Sequence, residues 1–197
     1  MVILMYDSYS NWINVSKTKD ISNLKSLITG TERWDSDYIT DDCKAILSSF
    51  KGAVVDFGCG LGRNVSMLKY FNCRIVGYDI PNMISRLKKV ESAVANLYDA
   101  LYDSFDCLLK KEDPTVIYES VVLQHIVDGN YINMLNSIAE KQSVKLFVSI
   151  ANSGGSTRHI PHLSNRPYWK LIHKEENNVT FNVTHDVYVF EKIAPIV

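Results

Sequence analysis

Three glycines at alternate positions, Gly58, Gly60 and Gly62, follow directly on the apolar run Val54-Val55-Asp56-Phe57, and Asp56 stands two residues ahead of the first of them. Glycine is needed where backbone turns sharply or where a ligand must come close without meeting a Cβ. A helix opening directly behind such a loop points the free N–H groups of its first turn at a negative group. Seventeen residues beyond Gly62, Asp79 ends a second apolar run, Arg74-Ile75-Val76-Gly77-Tyr78. A carboxylate at that point can accept both hydroxyls of a ribose. Loop, acid and order together describe a nucleoside-containing cofactor at the carboxyl edge of a sheet. The dinucleotide fingerprint is spaced G-x-G-x-x-G, whereas this loop is G-x-G-x-G, which disfavours a nicotinamide-dependent oxidoreductase.

The elements that must position these residues follow from hydrophobic periodicity. Helical spacing of Ile39, Cys43, Ile46 and Leu47 predicts a helix over 38–50, broken by Lys51-Gly52. Strands are expected at 53–57, at 74–79, within 92–98, at 115–119 and at 144–150. Helices carrying Val65, Met67 and Leu68, then Pro81, Met83, Ile84 and Leu87, then Tyr131, Met134, Leu135 and Ile138 fill the intervals. The runs 178–183 and 187–191 lie close enough to form a closing hairpin. Strands alternating with helices predict an α/β protein: a three-layer, Rossmann-like sandwich with a mostly parallel seven-stranded sheet and an antiparallel C-terminal hairpin. The chain divides into an N-terminal arm (1–37), a cofactor-binding core (38–150), a substrate-side segment (151–177) and the closing hairpin (178–193), all in one domain.

Composition excludes several classes. With 21 Lys and Arg against 22 Asp and Glu, 46% apolar and 22% charged residues, the chain has the balance of an ordinary globular domain. It is not disordered, fibrous or membrane-spanning, and it is not basic enough to bind nucleic acid by bulk charge. Cys43, Cys59, Cys73 and Cys107 show no C-x-x-C pair, so free thiols in a reducing cytoplasm are expected. The apolar start, residues 1–6, is too short for a signal peptide and has no positive lead-in.

At the glycine loop the chain resembles the class I S-adenosylmethionine-dependent methyltransferases of small-molecule type, whose first motif has this acid and glycine spacing; the likeness runs from about residue 38 to 150, plus the hairpin. It implies that Gly58, Cys59, Gly60, Gly62 and Asn64 line the methionine part of S-adenosyl-L-methionine. Asp56 would support the loop, and Asp79 with Ile80 would hold the ribose. A second match, Val121-Val122-Leu123-Gln124-His125-Ile126, is similar to the "vLqHi" segment of small methyltransferases, in which backbone just after the strand, here Glu119, Ser120 and Val121, faces the cofactor. His125 is then a packed, hydrogen-bonded histidine or a catalytic base, with Glu119 a second candidate base. Adenine contacts fall to Asp103 and Ser104, with Asp99 competing; either could instead serve as a helix N-cap.

The family varies most outside this core. Residues 151–174 contain no acid, but carry Arg158, Arg166, Lys170, Lys174, His159, His162, His173, Tyr168 and Trp169. The arm carries Glu32, Asp35, Asp37, Asp41 and Asp42. A basic, aromatic segment beside the cofactor mouth suits an anionic acceptor or a stackable base, with Arg158, His159 and Trp169 as substrate contacts. Equally, it could pair with the acidic arm and close the domain. Two histidines without a Cys or carboxylate at matching spacing do not make a metal site. Asn165-Arg166-Pro167-Tyr168 is similar to the tetrad of DNA amino-methyltransferases, but it lacks the first proline and falls after the fifth strand, which argues against that chemistry. The function expected is methyl transfer to an N or O acceptor on a small molecule or exposed nucleotide. The alternative is a catalytically inactive S-adenosylmethionine-binding module acting through a partner protein.

Overall fold

A computed structural model describes residues 17, 40–71, 73–123, 138–141, 143–152, 168–180 and 183–193. The described chain begins with α1 (Asp41–Ser48). Its N-cap, Thr40, accepts the Cys43 N–H, Asp41 and Asp42 complement the helix dipole, and Cys43 and Leu47 face inward. Next comes β1 (Ala53–Phe57), buried along its whole length. α2 (Val65–Leu68) is a single turn, continued by a 3-10 turn, Lys69–Phe71. β2 (Arg74–Tyr78) leads to α3 (Pro81–Val90), where proline takes the first turn, Met83, Ile84 and Leu87 are buried, and Lys88 and Lys89 close the last turn.

The strand expected within 92–98 is a correction. Ser92–Ala95 is a short helix, α4, and β3 is Ala100–Tyr102. Asp99 sets the boundary: its N–H donates to Ile75 carbonyl at 2.8 Å while its carboxylate accepts the Ile75 N–H at 2.7 Å, so pairing with β2 begins only there. α5 (Phe105–Lys111), capped by Ser104, leads to β4 (Pro114–Ser120) and β5 (Leu146–Asn152). The closing hairpin is longer than expected, with β6 (Trp169–Thr180) taking up the end of the supposed substrate-side segment and β7 (Val183–Lys192) returning. Of the helix expected over Tyr131, Met134 and Leu135, only residues 138–140 are among those described, and they are helical.

The seven strands form one sheet in the order β3-β2-β1-β4-β5-β7-β6. All pairs from β3 to β5 are parallel; β5–β7 and β7–β6 are antiparallel. The β6–β7 register slips twice, between Leu171 and His173 and between Glu175 and Asn178. Alternate residues of each central strand feed separate cores. Val54, Val116, Leu146 and Val189 pack with α1, α2 and α3 on one face. Val55, Ile117, Phe147 and Phe190 pack with α5, Leu123 and Ile138 on the other. This is the three-layer α/β sandwich, and the carboxyl ends of β1, β2, β3 and β4 meet along one edge.

Candidate functional site

The loop after β1 is shaped by left-handed glycines: φ is 71° at Gly58 and 87° at Gly62. Neither could carry a side chain, since a Cβ on Gly58 would sit 2.3 Å from Val122 Cγ2 and one on Gly62 2.3 Å from Val94 Cγ1. The N–H groups of Gly58 and Cys59 donate to Tyr78 carbonyl at 2.8 and 3.0 Å, tying the loop to the end of β2. Asp79 lies beneath it. Its Oδ2 accepts the Gly60 N–H and its Oδ1 the Ile80 N–H, both at 2.7 Å. Burial pushes the Asp79 carboxyl up to about 6, against the pull of those N–H groups and with a further push from Asp56.

Asp56 is 0% exposed. Tyr98 hydroxyl donates to its Oδ2 at 2.7 Å and Asn64 Nδ2 to its Oδ1 at 3.2 Å. Burial raises its pKa, while Tyr98, Asn64 and the nearby Arg63 charge pull the other way. Asn64 Oδ1 is buried without a partner among the described residues. Asn64 stands at the N-cap of α2 without capping it through its side chain, and with α2 only a turn long the expected dipole contribution is small. Cys59 is buried, and burial with the Asp79 and Asp56 charges drives its thiol well above the usual range, so it is an inert packing residue.

Across the edge, Glu119, Ser120 and Val121 close β4. Glu119 turns inward: Oε2 accepts the Val122 and Leu123 N–H groups at 2.9 and 3.3 Å, and Oε1 accepts the Ser149 hydroxyl. Burial raises its carboxyl to about 7. Enclosed in this way at 1% exposure, its side chain faces protein rather than the cleft, a correction to its expected place as a base. Arg63 Nη2 donates to Ser120 Oγ at 2.9 Å, joining the glycine loop to the end of β4.

Topology separates the adenine candidates. Asp103 and Ser104 follow β3 on the same edge as Asp79, with Ser104 Oγ accepting the Cys107 N–H at 3.3 Å as the cap of α5. Asp99 precedes β3, at the opposite edge, where Lys69 pairs with it. Trp169 is a second correction. It is 3% exposed, packs on Phe147 with ring centroids 6.0 Å apart, and pairs in register with Lys192, so it lies in the core at the sheet end away from the cofactor edge. His125, Arg158 and His159 lie outside the described residues. Two of the described basic residues of β6 meet acids of their own strand, His173 with Glu175 at 2.5 Å and Lys174 with Glu176 at 2.6 Å. One link between β6 and the cap of α1 is the Thr40 hydroxyl donating to Glu175. Among the described residues no cluster could hold a metal and no helix is long and apolar enough to cross a membrane.

Arg63, Tyr98 and Ser149 were not legible as site residues. Ser149 left a trace: a polar residue set inside the apolar run Leu146–Ala151, and it is the register partner of Glu119.

Residues 36–182 match the family model described as a methyltransferase domain. No curated protein sequence matches significantly. Solved structures share the fold. N-methyltransferase NodS from Bradyrhizobium japonicum, in complex with S-adenosyl-L-homocysteine, is 12% identical, with 94% of this chain and 98% of that chain covered and a TM-score of 0.58. Magnesium protoporphyrin IX methyltransferase from Synechocystis, with bound S-adenosylmethionine, is 14% identical, with 95% and 93% covered and a TM-score of 0.56. A TehB-like S-adenosylmethionine-dependent methyltransferase from Corynebacterium glutamicum is 18% identical, with 93% and 95% covered and a TM-score of 0.53.

Proposed function

The chain belongs to the methyltransferase domain family, and from that premise we propose that it is an S-adenosylmethionine-dependent methyltransferase acting on an N or O acceptor of a small molecule or exposed nucleotide. The observation that carries this reading is Asp79, held by the Gly60 and Ile80 N–H groups at the end of β2 directly under the glycine loop. The residues fit the cofactor. Gly58 and Gly62 pack so tightly on Val122 and Val94 that the loop keeps its turned shape only with glycine at both positions, and the unpaired Asn64 Oδ1 is an acceptor suited to an ammonium. Asp79 and Ile80 would hold the ribose, Asp103 and Ser104 would face the adenine, and backbone of Glu119, Ser120 and Val121 would close the other wall. Asp56, with Cys59, Gly60 and Asn64, would support the methionine end.

When bound, the cofactor supplies an already activated sulfonium methyl. The chain's own task is therefore to place an acceptor in line and keep water out, an effect worth many kcal/mol. A base is required only for an acceptor that holds its proton at neutral pH, and His125 is assigned that role. Arg158 and His159 are assigned to an anionic group on the acceptor. Four free cysteines fit a reducing cytoplasm.

The test is calorimetric titration with S-adenosylhomocysteine. Asp79→Ala should abolish measurable binding, and unchanged affinity would overturn the assignment. Transfer of labelled methyl to an acceptor from a metabolite and RNA screen then distinguishes an enzyme from a binding module.

A further inference from the structure

β4 leaves the sheet through a turn that its sequence does not favour. Val121 is β-branched yet holds a φ of 63°, a left-handed conformation in which such a residue stays only when its surroundings hold it. On one side the Val121 N–H donates to Ile150 carbonyl at 2.7 Å. On the other, the next two N–H groups, of Val122 and Leu123, both end on Glu119 Oε2. The remaining oxygen of Glu119 receives the hydroxyl of its register partner Ser149. Both side chains are buried, so the arrangement is made entirely of protein. The turn carries Val122, whose methyl groups occupy the space a Cβ on Gly58 would need. Turn and glycine loop therefore interlock, and Arg63 binding Ser120 ties them a second time.

We propose that Glu119 is a positioning residue: its carboxylate, braced by Ser149, holds the left-handed turn at Val121 and, through Val122, sets the glycine loop in the shape that receives the cofactor. Ionised, Glu119 accepts from Ser149; protonated, it donates to Ser149 Oγ, and Oε2 serves the two amides in either state. The hold is thus independent of protonation. The inference rests on the cofactor reading above, and its test separates the two.

Glu119→Met fills the volume without an acceptor, whereas Glu119→Gln keeps an oxygen for the amides and can donate its NH2 to Ser149. Affinity for S-adenosylhomocysteine should fall about tenfold or more in Glu119→Met and largely recover in Glu119→Gln. Adding Val121→Gly to Glu119→Met should restore part of the loss, because glycine adopts a positive φ without steric cost; a residue that only stabilised the fold would show no such rescue. Hydrogen exchange at the Val122 and Leu123 amides, which needs no cofactor, should accelerate in Glu119→Met and not in Glu119→Gln. Binding by Glu119→Met within twofold of the parent, or unchanged exchange, overturns the proposal. If Glu119→Met does not fold, the parent decides: these amides should be protected, and free exchange overturns it. A parent that fails to bind S-adenosylhomocysteine refutes the cofactor reading, while exchange still decides whether Glu119 holds the turn.

Discussion

Both carboxylate oxygens of Asp79 already accept a backbone N–H, yet burial keeps its carboxyl at about 6. Ribose hydroxyls would donate to the ionised form and favour it. Binding should therefore release a proton from any Asp79 that carries one, and affinity should rise with pH through 6. Titrations of S-adenosylhomocysteine should show an increase of about tenfold from pH 5 to pH 7, flat above. Asp79→Asn should flatten the profile, and a slope that survives this change places the titrating group elsewhere. Glu119 titrates nearby at about 7, but it keeps the same partners in both forms. The position of Asp79 was legible because an acid at the end of a strand is a sequence feature. Its N–H partners were not, because they depend on how the loop closes back over β2. Tyr98 was hidden for the same reason: it reaches Asp56 only because α4 and the turn after it bring it there.

Among the elements, the hairpin departs most from its expected form. The continuous apolar run Val187-Tyr188-Val189-Phe190 marked β7, but β6 opens with Trp169-Lys170-Leu171-Ile172-His173-Lys174, a mixture that also reads as a basic, aromatic surface segment. Tertiary packing decided: β7 pairs with β5 on one side and β6 on the other, and this carries Trp169 over Phe147. Trp169→Ala should cost about 3–5 kcal/mol of stability and leave S-adenosylhomocysteine affinity unchanged; urea unfolding and calorimetry check the two halves. A loss of affinity without a loss of stability would return Trp169 to the substrate side. β3 was misplaced for a related reason. Val94, Ala95 and Tyr98 supply the apolar content of a strand, but they are spent packing beside the glycine loop and β2, and the ladder starts at Asp99.

For the molecule as a whole, Asp56, Asp79 and Glu119 sit together near one sheet edge with pKa values above their ordinary ones. Between about pH 4 and pH 7 these three acids therefore bind more protons in the folded chain than in the unfolded one, so their contribution to stability falls as pH rises through that window. Asp99 and Glu112, held low by N–H and cation partners, act in the opposite sense at lower pH. Replacing Glu119 by Gln removes one ionisation from the window and should stabilise the protein at pH 8 by on the order of 3 kcal/mol relative to the parent, with little gain at pH 4; parallel stability-against-pH curves would contradict this. The near-neutral composition gave no sign of these acids, because a charge sum does not report burial. The edge of the sheet has a different consequence. β6 is long and outermost, and Leu171 and Ile172 on it are exposed. A straight strand of that kind is a template on which a second chain can add. The two register slips against β7 bend it out of that role, and with the exposed Lys170, Lys174 and Glu176 along it they leave an edge built against aggregation.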